Sequence, residues 1–178
     1  MRLVKILLTT MLCAVGGVAL AAGDKISADD FVKKAGEAGM AEVELGKLGE
    51  TKATNADVKA FAQRMVKDHS KANNELMAAA KAKGLKTPTE PGMMHKAMKE
   101  KFEHQSADTD FDHDFMQQMV KDHEKAVELF RTASNDTTLD ADLRALAKKT
   151  LPTLEEHLAM AKKLDAKMGN KEKLSKDE

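Results

Sequence analysis

The sequence predicts an all-α protein: a four-helix bundle in which a long crossover connection joins the second and third helices. Three observations support this class. Helix-forming residues, chiefly Ala, Lys, Glu, Leu and Met, dominate the composition. Apolar residues recur at intervals of three and four in four separate stretches. Only three prolines occur, and one connection between the stretches is about 24 residues long.

The beginning of the chain has the features of a secretory signal peptide. A basic start precedes an apolar run from residue 6 to residue 20, and Ala19 and Ala21 form a cleavage site. About fifteen apolar residues fall short of the roughly 20 that a spanning helix needs, so an uncleaved anchor is the less favoured alternative. We assign residues 1–21 to a signal peptide and expect a periplasmic or secreted protein without a membrane span in the mature chain.

The composition of the mature chain excludes several classes of function. Cleavage removes Cys13, the single cysteine, so disulfides and thiolate metal ligands are excluded. The chain has no Trp or Tyr, which excludes tyrosyl-radical chemistry. Cleavage leaves 27 basic against 29 acidic residues, and this mixture lacks the basic footprint of a nucleic-acid partner. Its stability must therefore come from the core.

The first predicted helix covers residues 28–50. Ser27 and Asp29 have the character of an N-terminal cap and first turn. The apolar pattern fades at Gly46 and Gly49, which we interpret as the approach to the helix end.

The second helix is predicted over residues 55–83. Thr54 followed three residues later by Asp57 resembles a capping box, and Gly84 is a C-terminal stop signal. The connection from Gly84 to residue 108 contains two prolines and a weakly helical run over residues 93–104. A connection long enough to travel the length of a bundle favours the crossover topology of ferritin-like folds.

The third and fourth helices are predicted over residues 109–134 and 139–168, so the bundle domain covers residues 27–168. Pro152 should kink the fourth helix because it removes one backbone donor. Residues 169–178 are mostly charged, and we expect a disordered tail.

A repeated pentapeptide indicates the candidate site. Met-Val-Lys-Asp-His occurs at residues 65–69 and again at residues 119–123. Heptad-like stepping along each helix places one metal-ligand-type side chain in each buried seam. These four are Glu42, His69, His123 and His157. Each must find a partner, a water or a metal ion, because burying an unpaired polar group is costly.

Helix rise predicts the heights of these side chains. His69 and His123 should meet near the middle of the bundle, while Glu42 and His157 lie about 10 Å away along the axis. Asp68 and Asp122 point about 100° away from the seams. They either orient the imidazoles from outside or pair with lysines on the surface.

Three interpretations remain open. Imidazoles with a carboxylate suit one transition-metal ion: iron, zinc, manganese or copper. The same side chains could instead form a metal-free polar layer that fixes helix register, in an envelope or stress protein that acts through its surfaces. The soft side chains Met93, Met94, His95 and Met98 could hold copper, although methionines at this spacing usually serve packing.

Several short sequence segments, which follow one another in a fixed order along the chain, resemble those of a known family. They are the two Met-Val-Lys-Asp-His words, Phe31-Val32 and the run from Glu42 to Gly46 before them, and Leu151-Pro152 with His157-Leu158 after them. Over about residues 27–166 the chain resembles the domain of unknown function 4142 family, exported proteins often labelled outer-membrane proteins and grouped with ferritin-like folds. The resemblance implies a ferritin-like bundle and export, and it brings no activity.

The chain departs from the di-iron pattern of the wider ferritin-like group. Those proteins use Glu-x-x-His pairs on two helices. Here Val66, Val120 and Leu154 stand three residues before the seam histidines. We therefore expect a single metal ion or none, and no catalytic residue is assigned.

Overall fold

The computed structural model describes residues 25–176, so the predicted signal peptide over residues 1–21 lies outside the described residues. Within them the chain forms five α-helices and no strand. The helices are α1 (Ala28–Lys52), α2 (Ala56–Ala82), α3 (Met93–His104), α4 (Thr109–Asn135) and α5 (Ala141–Lys176). The all-α class is confirmed. No helix in this part of the chain is long and apolar enough to cross a membrane.

The four long helices form two hairpins, α1 with α2 and α4 with α5. We call the end of the bundle at which α1 begins the top. There the Lys83 ammonium, just after α2, lies 2.8 Å from the Asp140 carboxylate, just before α5. The Ile26 amide, just before α1, donates to the Asp136 carboxylate after α4 at 2.8 Å. The top therefore gathers the start of α1 and α5 and the end of α2 and α4.

The bottom is held by the buried carboxylate of Asp112, in the first turn of α4. It accepts hydrogen bonds from the Thr54 amide at 3.0 Å and the Asn55 amide at 2.8 Å, in the turn between α1 and α2. The chain between α2 and α4 must therefore travel from top to bottom, which confirms the predicted crossover. Since α1 packs against α2 and α4, and α2 against α1 and α5, the parallel helices α2 and α4 occupy opposite corners.

The crossover connection carries α3, which matches the weakly helical run predicted over residues 93–104. It packs along α1 and inserts Phe102, which is 1% exposed, into the core. The Lys52 ammonium, at the end of α1, donates to the Phe102 carbonyl at 2.8 Å and so covers the C-terminal carbonyls of α3.

Helix boundaries follow the predicted caps with two corrections. The Ser27 hydroxyl accepts from the Asp30 amide, as expected of an N-cap. The cap of α2 is Asn55 and not Thr54, whose hydroxyl instead donates to Asp112. Helix α1 does not fade at its glycines: a Cβ on Gly49 would lie 2.7 Å from the Phe115 ring, so the glycine serves close packing inside the helix. Gly84, with φ of +67°, follows the end of α2 as predicted.

The predicted disordered tail is wrong over residues 169–176, because α5 continues to Lys176. Lys, Glu and Leu are good helix formers, and an established helix adds one hydrogen bond per added residue, so charge alone does not stop it. Pro152 lies inside α5, and the kink stays a prediction.

Two hydrophobic clusters fill the core, one toward each end. The top cluster contains Phe31, Leu76 and Leu143, and the bottom cluster contains Phe61, Phe115 and Met119. Between them on the four long helices lies a layer of buried polar side chains. They are Glu42, His69, His123 and His157.

Candidate metal centre

Three histidines converge in this polar layer. His69 is 6% exposed, and His123 and His157 are completely buried. Their ring centroids form a nearly equilateral triangle with sides of 5.5, 5.4 and 5.5 Å. Phe61 stands edge-on below two of the rings, at 6.4 Å from His123 and 6.3 Å from His157. One ring nitrogen of each histidine lies within 4.8 Å of the other two.

Hydrogen bonds on the outer side of two rings fix which nitrogen faces inward. His123 Nδ1 lies 2.8 Å from the Met119 carbonyl, which can only accept, so Nδ1 carries the proton. His157 Nε2 lies 3.0 Å from Asp68 Oδ2 and donates to that carboxylate. In the neutral rings the lone pairs then belong to His123 Nε2 and His157 Nδ1. Metal-binding histidines are held in the same way, by a carbonyl or carboxylate on the other nitrogen.

One nitrogen of each ring is buried without a hydrogen-bond partner in the described part of the chain. These nitrogens are His69 Nε2, His123 Nε2 and His157 Nδ1. A buried polar atom left unpaired costs about 1–3 kcal/mol. Three such atoms in one layer therefore need an explanation that a packed core alone does not provide.

Burial keeps all three rings neutral near pH 7. It lowers the pKa of His123 to about 4, and it lowers the pKa of His69 well below the ordinary value, helped by the other two histidines. The pKa of His157 is also lowered by burial, although the hydrogen bond to Asp68 favours its charged form and opposes the shift. Neutral imidazoles with free lone pairs are the form that binds metal ions.

The Asp68 carboxylate is itself held in place. Burial raises its pKa, but the hydrogen bonds from His157 and Arg64 outweigh burial, so its pKa lies below the ordinary value. Arg64 Nε lies 3.2 Å from Asp68 Oδ2, and the guanidinium also pairs with Glu156 on α5. Asp68 therefore remains an ionised acceptor that orients His157.

Glu42 completes the layer from α1 but lies outside the group of nitrogens that meet within 4.8 Å. Its side chain is 4% exposed, and Oε2 has no hydrogen-bond partner among the described residues. Burial raises the pKa of Glu42 well above the ordinary value, and the negative charge of Asp122 adds to this shift. Glu42 is thus a buried acid at the edge of the histidine triangle.

The structure meets the sequence expectations for these side chains in part. His69 and His123 meet near mid-bundle, as the helix rise predicts. The estimate that His157 lies about 10 Å away is wrong, because its ring is 5.4 Å from that of His69. Counted from the top, all four layer residues lie within about four residues of one height, or about 6 Å.

The two aspartates differ from the expectation in opposite ways. Asp68 does orient an imidazole, but on α5 and not on its own helix. Asp122 accepts from Gln118 Nε2 at 2.8 Å, and Lys125 Nζ lies 4.0 Å away. Nothing in the sequence indicates the cross-helix pair of Asp68 and His157, or the role of the Met119 carbonyl, because both depend on the relative rotation of helices.

The methionine-rich segment of α3 is divided between solvent and core. Met93 and Met94 are 86% and 83% exposed, whereas Met98 is partly buried against the bottom cluster. Copper binding by this segment stays a prediction.

A cavity of about 40 Å³ lies between the histidine layer and the top cluster. This is room for about two or three water molecules. His69, His157 and Glu42 form its inner end. The walls are mostly apolar and come from all four long helices: Ala35, Ala38, Leu76, Ala126, Phe130 and Leu146.

A groove between α2 and α5 leads from solvent toward this cavity. The two share Asp68, Ala72, Thr150 and Thr153 in their walls. The Lys149 ammonium lies 2.8 Å from the Glu75 carboxylate across the groove, and both side chains line it. The groove and the cavity are therefore neighbours that meet at these four shared residues.

Comparison with known proteins supports the fold and brings no activity. The sequence profile described as "Domain of unknown function (DUF4142)" matches residues 16–164. No curated protein sequence shows a significant match. The fold is similar to a crystal structure from Streptomyces coelicolor that is described as a secreted protein of the DUF305 family, with a TM-score of 0.68. The similarity covers 80% of this chain and 93% of that one at 16% identity, and it shows a shared fold.

Proposed function

The chain belongs to the DUF4142 family, and because that family has no assigned function we propose one from the geometry of the core. We propose an exported helical-bundle protein that binds one transition-metal ion through His69 Nε2, His123 Nε2 and His157 Nδ1. Storage, sensing or protection against the ion are the roles that such a site suits. Three imidazoles favour zinc, copper or iron over manganese, which prefers oxygen ligands.

The observation that carries the proposal is the convergence of three buried, neutral histidine rings, each with a nitrogen that has no hydrogen-bond partner among the described residues. A polar layer that served only helix register would be expected to pair these nitrogens with one another or with neighbours. One metal ion satisfies all three at once. Asp68 and the Met119 carbonyl already hold two of the rings in the tautomer that this requires.

The distances indicate how far the site must close around an ion. Zinc with Zn–N bonds of about 2.0–2.1 Å in tetrahedral geometry places its nitrogens about 3.3–3.4 Å apart. One nitrogen of each ring lies within 4.8 Å of a nitrogen on each of the other two rings, so the three rings must approach by up to about 1.5 Å. Among the described residues His69 has no hydrogen bond to a carboxylate or carbonyl of the kind that holds the other two rings, so its rotation is the simplest way to close the gap.

Three protein ligands leave a fourth position of a tetrahedral ion open, and two of those ligands, His69 and His157, stand at the inner end of the cavity. Glu42 lies at the same inner end and is a candidate for that position. An open position is also what catalytic metal sites have, but no group placed to act on a substrate supports an enzyme here. Export is supported by the signal-peptide features of residues 1–21.

Elemental analysis tests the proposal directly. The protein is purified without a polyhistidine tag and analysed beside a His69→Ala, His123→Ala double variant and a His104→Ala control. His104 is exposed on α3, away from the layer. We expect one ion per chain in the parent and the control, and none in a double variant whose circular dichroism still shows a folded helical protein.

The alternative is the metal-free envelope or stress protein with a structural polar layer. It predicts no bound metal in any of the three proteins, even after reconstitution with zinc, copper or iron. It also predicts that the double variant changes only the free energy of unfolding. That result would overturn the metal site.

A further inference from the structure

The cavity at the histidine layer is too small for a separate organic ligand. Its volume of about 40 Å³ has room for about two or three water molecules. A side chain that already lines the cavity can use such a space, because it can change rotamer without displacing packed neighbours. Glu42 stands at the inner end, beside His69 and His157, and has three torsions about which its carboxylate can turn.

Glu42 also differs from the two aspartates near the layer in its hydrogen bonds. Asp68 accepts a hydrogen bond from His157, and Asp122 accepts one from Gln118. Glu42 is 4% exposed, and its Oε2 has no hydrogen-bond partner among the described residues. A buried carboxylate without a partner is costly, and a metal ion on the three histidines would supply that partner.

The charge of the ion decides how much a carboxylate ligand contributes. Three neutral imidazoles donate lone pairs but leave the charge of the ion unchanged, and an uncompensated divalent charge in a buried place is costly. A carboxylate cancels one of the two charges, and its attraction grows with the charge of the ion. Copper(I) carries a single charge and is a soft ion, which binds imidazole well and gains little from a carboxylate oxygen.

We propose that Glu42 is the fourth ligand and that its carboxylate makes the site selective for a divalent ion such as zinc over copper(I). This inference rests on the proposed function, because Glu42 can act only on an ion that the histidines hold. Glu42 lies outside the group of nitrogens that meet within 4.8 Å, so its side chain must turn toward them through the cavity when the ion binds. Four protein ligands make a closed site, which is typical of zinc that is retained and not of zinc that binds a substrate.

The affinities for zinc and for copper(I) test this selectivity in the full mature protein. Each is measured at one pH by competition with a chelator, and copper(I) is kept reduced in the absence of oxygen. In Glu42→Gln we expect the zinc affinity to fall about 100-fold or more, because loss of a partner that only orients a ligand already costs about 10- to 100-fold. The copper(I) affinity should change less than about threefold.

Glu44 on the same helix provides the matched control. Its carboxylate is 37% exposed, lies 3.5 Å from the Lys99 ammonium and does not line the cavity. Glu44→Gln removes the same charge as Glu42→Gln, and we expect it to change both affinities less than about threefold.

A second substitution serves if Glu42→Gln does not fold. Glu42→Met keeps a side chain of similar length and leaves no polar atom to bury. The zinc affinity should fall as in Glu42→Gln. Copper(I) should bind at least as tightly as in the parent, because a thioether is a ligand that copper(I) prefers.

The possible failures are distinct. If the ratio of zinc affinity to copper(I) affinity in a folded Glu42 variant equals that of the parent, Glu42 does not select the ion and this proposal is overturned, while the histidine site stands. If the parent binds neither ion, the metal site itself is wrong and the role of Glu42 falls with it.

Discussion

The two Met-Val-Lys-Asp-His words lie on parallel helices at opposite corners of the bundle, residues 65–69 on α2 and residues 119–123 on α4. In both, the histidine turns into the same layer, and the two rings lie 5.5 Å apart. The aspartates diverge. Asp68 bonds to His157 across the α2–α5 contact, whereas Asp122 bonds to Gln118 and adds its negative charge to the surroundings of Glu42.

The difference shows that an identical pentapeptide takes its chemistry from what surrounds it. Four residues before each aspartate stands Arg64 in one copy and Gln118 in the other. The neighbouring hairpin presents a base, His157, to the first aspartate and an acid, Glu42, to the second. The first copy therefore forms a carboxylate–imidazole pair, and the second forms part of an acid cluster.

The largest expected effect concerns protonation of the layer. Because the pKa of His123 falls from 6.5 to about 4 on folding, its contribution to stability is present above pH 6.5 and is lost as the pH falls toward 4. The loss is on the order of 3 kcal/mol. The raised pKa of Glu42 acts in the opposite direction, because its contribution is present below pH 4.5 and is lost as the pH rises.

Urea denaturation of the metal-free protein from pH 4 to pH 7 separates the two contributions. We expect the free energy of unfolding to rise with pH more steeply in Glu42→Gln than in the parent, because the opposing acid is gone. Adding His123→Leu to Glu42→Gln should flatten part of the rise. If the free energy of unfolding of the parent rose with pH as steeply as that of Glu42→Gln, Glu42 would not offset the pH dependence that the histidines cause.

The second prediction compares the two aspartates directly. Asp68→Asn removes the charged acceptor that orients His157, and loss of such a partner lowers metal affinity about 10- to 100-fold. The matched change Asp122→Asn should alter the affinity less than about threefold, since Asp122 bonds to Gln118 and not to an imidazole. Competition with a chelator measures both. Equal losses in the two variants would mean that the copies act alike.

Much of the fold could be predicted from the sequence because it depends on patterns along the chain. Helix periodicity and end signals placed four long helices within about two residues at most ends, and the length of the connection predicted the crossover. The continuation of α5 to Lys176 was missed because charge was taken as a sign of disorder.

The site was predicted less completely because it depends on how helices rotate and slide against one another. Seam stepping selected Glu42, His69, His123 and His157, and all four are in one layer. It could not give their separations, since one turn of helix offset moves a side chain by about 5.4 Å. For the same reason the sequence does not reveal that Asp68 bonds to His157 on another helix.

The smallest expected effect tests whether the residue four positions before each aspartate accounts for the difference between the copies. Arg64→Gln makes the first copy resemble the second, and Gln118→Arg does the reverse. Arg64 is 38% exposed, and ion pairs of that kind contribute about 0–1 kcal/mol, so we expect Arg64→Gln to weaken metal binding less than about threefold. Gln118→Arg should leave the affinity unchanged, because Asp122 has no imidazole to orient.

Chelator competition at low and high salt measures both, and the small effect of Arg64→Gln should shrink further as salt screens the pair. A tenfold loss in Arg64→Gln would instead mean that Asp68 orients His157 only while Arg64 holds Asp68. The difference between the two copies would then originate on the helix that carries each copy and not on the helix that faces it.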